Sequence, residues 1–215
     1  EIVLKARRAS ETHQSPFAPA PIEEVVATIK TEKPDVVFAP HVETSSGMIL
    51  PDDYLKQVAD AVHSVGGLFV LDCIASGTIW VDMATTGVDI LISAPQKGWS
   101  ASPSAALVML NSTAREAIND TKSTSYAADL LKWLQIMEAY ENGGHAYHAT
   151  MPTDALTKFR DVVMETREYG FDKVKAEQQE LGDRVRAMLS NRGIKSVAAE
   201  GFQAPGVVVS YTDDV

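Results

Sequence analysis

The sequence predicts an α/β fold built on a mostly parallel sheet. Three observations predict it. Short apolar runs recur at residues 36–39, 68–71 and 90–92, the pattern of strands buried on both faces. A stretch with the one-faced period of a helix separates the first two runs, a spacing that suits parallel pairing. Each run then gives way to a polar loop of small residues: H-V-E-T-S-S-G at 41–47, D-C-I-A-S-G at 72–77 and S-A-P-Q-K-G-W at 93–99.

The elements follow in order. Residues 1–4 fit a short strand, and 12–21 a polar, proline-rich loop. Pro21 suits a first helical position, with Glu23 and Glu24 in the first turn. Ile22, Val25, Val26 and Ile29 then line one helix face. After the strand at 36–39, Pro51 opens a second helix whose core face is Leu55, Val58, Ala59 and Val62. Gly66 and Gly67 stop it. The strands at 68–71 and 90–92 come next, and residues 105–110 form a further apolar run. The second half reads as helices: 129–142 with Leu130, Leu134 and Met137 on one face, then one opened by Pro152 and interrupted at Gly170, then one ending at Asn191 and Gly193. A last strand is expected at 207–211, with the sheet continuing past residues 213–215. The domain boundary is expected at Gly170, giving a large domain at 1–169 and the start of a smaller one at 170–215.

Composition narrows the function. The chain has 215 residues, 45% hydrophobic and 22% charged, as ordinary globular proteins have. A net charge of −10 argues against a nucleic-acid surface and a polybasic membrane contact. No apolar run approaches the ~20 residues of a membrane span. Cys73 is the one cysteine, so no intrachain disulfide forms, and a cytoplasmic location is expected. No signal peptide is visible, but the chain begins at Glu1 rather than Met, which leaves an upstream targeting segment open.

Ligands of parallel α/β sheets bind outside the carboxyl ends of the strands. The three polar loops converge there and supply a carboxylate, hydroxyls and an amine. Lys97 lies on a turn of Ser, Ala, Pro and Gly between two core runs. Such a lysine either reaches water, as most do, or is held neutral by burial and attacks a carbonyl. Asp72 ends a strand, where it is either a cap or the partner of a ligand's protonated nitrogen. Together the two residues are what pyridoxal 5′-phosphate chemistry requires. The amine holds the aldehyde as a Schiff base, and the acid keeps the pyridine nitrogen protonated. Glu43 and His41 read as structural, Cys73 as a core filler, and Trp80, Trp99 and Trp133 as packing residues. His145 and His148 flank Tyr147 without metal-ligand spacing, so no metal site is expected.

Four motifs in order, H-V-E-T-S-S-G, V-L-D-C-I-A-S-G, S-A-P-Q-K-G-W and G-G-H-A-Y-H-A-T-M-P, carry a resemblance to a known family. The chain resembles the fold-type I, class V aminotransferases of the alanine–glyoxylate and serine–glyoxylate (serine–pyruvate) group. The resemblance implies an aspartate-aminotransferase-like fold and transfer of an amino group from alanine or serine to a 2-oxo acid such as glyoxylate or pyruvate. It implies that Lys97 is the Schiff-base lysine and that Asp72 binds the pyridine nitrogen. Thr44 then lies beside the ring hydroxyl, Ile74 packs on the ring face, and Gln96 contacts the phosphate end. Tyr147 and Thr150 reach the phosphate of the neighbouring subunit, so a homodimer with shared active sites is expected. The family places a phosphate-cradling glycine turn upstream of Glu1 and a carboxylate-binding arginine downstream of Val215, so the chain resembles the middle of a subunit. A lyase or desulfurase of the same fold is an alternative, and so is a non-catalytic fragment or assembly module. Bound-cofactor absorbance separates the last from the two enzymes.

Overall fold

The structure is a computed structural model that describes residues 1–212. Residues 213–215, where the sheet is expected to continue, lie outside the described residues. The chain opens on an antiparallel ribbon of β1 (Arg7–Arg8) and β2 (Phe17–Ala18). The strand expected at 1–4 is therefore displaced to Arg7, where pairing with Ala18 begins, and the loop expected at 12–21 contains β2. Next comes α1 (Ile22–Glu32), with Pro21 one residue before it and Val25 and Ile29 buried.

The strand β3 (Val36–Pro40) leads into a hairpin of β4 (Val42–Glu43) and β5 (Met48–Ile49). The helix α2 (Asp52–Ser64) buries Leu55, Val58, Ala59, Ala61 and Val62. It ends where Gly67 passes the chain beside Pro34; a Cβ there would lie 2.5 Å from the Pro34 carbonyl oxygen. The strand β6 (Leu68–Asp72) follows, then α3 (Met83–Thr86), capped by the Asp82 carboxylate. β7 (Ile90–Ser93) and β8 (Leu107–Leu110) complete the sheet. Four helices close the described chain: α4 (Ser112–Asn119), α5 (Leu130–Glu141), α6 (Thr153–Tyr169) and α7 (Phe171–Ser190).

The sheet order is β3-β6-β7-β8. The first three strands are parallel and β8 is antiparallel, so the sheet is mixed and mostly parallel. The register sets Pro40 beside Asp72 and Asp72 beside Ile92. The two helices α1 and α2 join Phe69, Leu71 and Leu91 in one apolar core. A fully buried side chain of this size contributes ~1.5–3 kcal/mol over an exposed one.

Four expectations need correction. β3 is not buried on both faces: Val36 is 53% and Phe38 59% exposed, because β3 ends the sheet and α1 and α2 cover only one side. In β7 only Leu91 is buried, while Ile90 and Ile92 are half-buried on the other side. On α5 the buried residue is Ile136, and Met137 points outward. No strand forms at 207–211; Ser210 makes a single bridge to Ser196, flanked by the Val197 N–H donating to the Val209 carbonyl and the Tyr211 N–H to the Lys195 carbonyl.

Candidate active site

Backbone hydrogen bonds knit the carboxyl ends of three strands together. The His41 N–H donates to the Asp72 carbonyl at 2.8 Å, and the Cys73 N–H to the Ile92 carbonyl at 2.7 Å. Asp72 thus sits at the centre of the strand ends. Its side chain is half-buried and accepts the Ile74 N–H on Oδ1 at 2.9 Å. This local bond turns the chain sharply after β6 and holds the carboxylate at the sheet's end.

Two neighbours of Asp72 are chemically quiet. His41 is 2% exposed, and its Nδ1 lies 2.7 Å from Ser76 Oγ. Burial, helped by the charge of Lys175, lowers its pKa from 6.5 to about 4. Burial likewise pushes the Cys73 thiol up to about 12; the Asp72 charge adds to this and a hydrogen bond from Ser76 opposes it. A thiol so raised is a poor nucleophile.

The His41 shift has a measurable consequence. The unfolded chain takes a proton on this imidazole below 6.5, the folded one only near 4. Between these values the unfolded state binds more protons, so stability falls as pH falls through this window. The loss from this group approaches about 3 kcal/mol at its lower edge. His41→Asn, which keeps a polar partner for Ser76, is expected to flatten the slope in urea unfolding followed across that window. An unchanged slope would assign the acid sensitivity to other groups.

Lys97 lies on the turn after β7. The turn closes through Ser100 N–H to the Lys97 carbonyl and Ala101 N–H to the Pro95 carbonyl, both 2.9 Å. Pro95 is buried beneath it, whereas Gln96 and Lys97 are exposed. Burial therefore does not enclose the amine, because the turn caps β7 at the surface. Gly98 presses on the loop that follows Asp72: a Cβ there would lie 1.9 Å from the Gly77 carbonyl oxygen. Only a glycine allows this approach.

An aromatic group anchors the same turn from the other side. Trp99 lies on Trp80 with ring centres 4.7 Å apart, and Phe159 and Phe171 meet Trp99 edge-on. Trp80 Nε1 donates to the Phe171 carbonyl at 3.0 Å, and Lys175 Nζ to the Trp80 carbonyl at 3.2 Å. The start of α7 is thereby tied to the lysine turn.

The remaining expected site residues fall in two places. Thr44 is exposed on the β4–β5 turn, which Glu43 holds by accepting the Ser45 N–H at 2.9 Å. Tyr147 and Thr150 share a hydrogen bond of 3.0 Å on an outward segment, Tyr147 being 75% exposed. Hydrogen bonds thus join Asp72 with Ile74 and Tyr147 with Thr150. Among the described residues none links these pairs to Thr44, Gln96 or Lys97. The same residues contain no group of three or more histidine, cysteine or carboxylate side chains able to hold a metal.

A primary amine on a turn laid against a carboxylate's own loop suits an aldehyde cofactor with a basic ring nitrogen. Comparison with known proteins agrees. The fold is that of the fold-type I aminotransferases: the structure titled alanine–glyoxylate aminotransferase from Nostoc sp. superposes with a TM-score of 0.78 at 22% identity, covering 90% of this chain and 50% of that one. The profile of the family "Aminotransferase class-V" matches residues 15–209, and the chain belongs to that family. Membership implies pyridoxal 5′-phosphate as cofactor. Alanine–glyoxylate aminotransferase 1 of Saccharomyces cerevisiae is 29% identical over 205 residues, 90% of this chain and 52% of the relative. Alanine–glyoxylate aminotransferase of Callithrix jacchus is 28% identical over 177 residues, 81% and 42% respectively. The chain spans about half the length of the curated relatives it matches.

Proposed function

We propose that the protein containing this chain is a pyridoxal-phosphate-dependent aminotransferase. It moves an amino group from a small amino acid, alanine or serine, to a 2-oxo acid such as glyoxylate or pyruvate. The observation that carries this is the contact of Gly98 with Gly77, which lays the turn of Lys97 on the loop of Asp72. When bound, the cofactor supplies a ring that takes up the electron pair left as substrate Cα loses its proton. Lys97 Nζ would hold the cofactor's aldehyde at rest and, once freed, would take the proton from substrate Cα as base and deliver it as acid to the cofactor carbon that carried the aldehyde. The Asp72 carboxylate keeps the ring nitrogen's proton in place. Thr44 would lie beside the ring hydroxyl, Ile74 would pack on the ring face, and Gln96 would contact the phosphate end. The raised thiol of Cys73 gives this residue itself no nucleophilic role in a desulfurase reading.

Residues 1–169 form the large domain and 170–215 begin a smaller one in this reading. The positive φ of 108° at Gly170, between α6 and α7, supports that division. No helix among the described residues is long and apolar enough to cross a membrane. A cytoplasmic location is proposed on the single free cysteine. An assay of the whole protein over amino donors and oxo acids tests the activity. Alanine and glyoxylate are expected to give pyruvate and glycine in equal amounts. Release of ammonia or sulfide instead of transfer would overturn the proposal.

The same reading makes the protein a homodimer in which Tyr147 and Thr150 serve the neighbouring subunit's phosphate. Their exposed hydroxyls support it. A heterodimer pairing a Lys97→Ala subunit with a Tyr147→Phe, Thr150→Ala subunit tests it. If the residues act across the interface, one site gathers every lesion and the other is intact. The isolated heterodimer is then expected to show roughly half of the parental activity. If they act within their own subunit, both sites are damaged and the heterodimer stays inactive.

A further inference from the structure

The segment that carries Tyr147 and Thr150 contributes no residue to the buried core. It is nevertheless held in one shape. The Tyr126 hydroxyl donates to the His148 carbonyl, and His148 Nε2 donates back to the Tyr126 carbonyl at 2.9 Å. A carbonyl can only accept, so the ring proton of His148 resides on Nε2. The two rings lie 4.0 Å apart, tilted by 34°. Trp133 of α5 meets the His148 ring edge-on at 5.0 Å, and its Nε1 donates to the Ala127 carbonyl at 2.8 Å. This reciprocal pair closes the chain excursion that contains α5.

We propose that Tyr126 and His148 form a clasp that positions Tyr147 and Thr150 to receive a phosphate. The inference rests on the phosphate-binding reading of those two residues. Tyr147 is next to His148 in the chain, and Thr150 follows two residues later. Pro152 and α6 fix the segment just beyond. With the segment held at both ends, the two exposed hydroxyls meet each other at 3.0 Å. Ordering ligand groups before binding removes an entropic cost that the ligand would otherwise meet. Tyr126 and His148 need not touch the cofactor; they act through the backbone at 147–150.

The test compares pyridoxal 5′-phosphate with pyridoxal, which lacks the phosphate, by equilibrium binding to the full-length protein. The readout is the ratio of the two dissociation constants. Tyr147→Phe combined with Thr150→Ala is expected to reduce the phosphate's advantage by roughly tenfold or more. No change there would remove the phosphate-binding reading itself. His148→Ala is expected to reduce the same ratio by about three- to tenfold, and Tyr126→Phe by somewhat less. His148→Gln, which keeps a side-chain N–H donor, is expected to recover part of the loss. Added to the Tyr147 and Thr150 changes, His148→Ala is expected to cost little more, because the groups it positions are gone. If the Tyr147 and Thr150 changes lower the ratio but His148→Ala and Tyr126→Phe weaken both ligands equally or neither, the clasp is structural only and the proposal fails.

Discussion

Lys97→Ala is expected to abolish covalent capture of the cofactor and to lower transamination by the whole protein at least about 10⁴-fold, the upper range for loss of a positioned proton-transfer group. The side chain is exposed and the turn's two closing hydrogen bonds use backbone atoms only. Removing the amine therefore leaves the turn, the Gly98–Gly77 contact and the aromatic anchor in place. Thermal melting should change little, which separates a chemical loss from a folding loss. Borohydride reduction of the parent should fix the cofactor on the peptide containing Lys97. Label on Lys122 or Lys132 instead would show that another amine does this work.

Much of the fold is legible because period and punctuation agree along the first half of the chain. Pro51, the apolar stripe from Leu55 to Val62 and the glycines at 66 and 67 all mark one helix, and one helix forms. What is not legible depends on neighbours. A run such as Val36 to Ala39 reads the same at a sheet's edge as at its centre, so its exposure shows only when strand order is known. The single turn of α3 and the short α4 carry too few residues for a period to emerge. In the site, Asp72 and Lys97 stand out as polar residues at the ends of apolar runs. Contacts across long separations leave no local trace. Gly98 resting on Gly77, Trp80 against Trp99, and Tyr126 clasping His148 each join segments about 20 residues apart. Two glycines in polar loops look like ordinary turn residues until the loops are placed together.

The second large effect belongs to Asp72. Asp72→Asn is nearly isosteric, and its amide oxygen can still accept the Ile74 N–H that Oδ1 accepts now. The sharp turn after β6 should survive, as should the backbone bonds from His41 and Cys73 that hold the strand ends together. What disappears is the negative charge. Without it the ring nitrogen has no anionic partner to keep its proton, and the ring draws electrons from substrate Cα less strongly. Cofactor binding is therefore expected to persist while transamination falls about 10³-fold, a barrier increase of ~4 kcal/mol. Asp72→Ala serves as the contrast. It removes charge and acceptor together, leaves the Ile74 N–H without its partner, and should cost ~1–3 kcal/mol of stability as well as activity. Urea unfolding beside single-turnover kinetics distinguishes the two variants. Activity of Asp72→Asn within about tenfold of the parent, a change of only ~1.4 kcal/mol, would mean that the carboxylate serves the turn after β6 and not the chemistry.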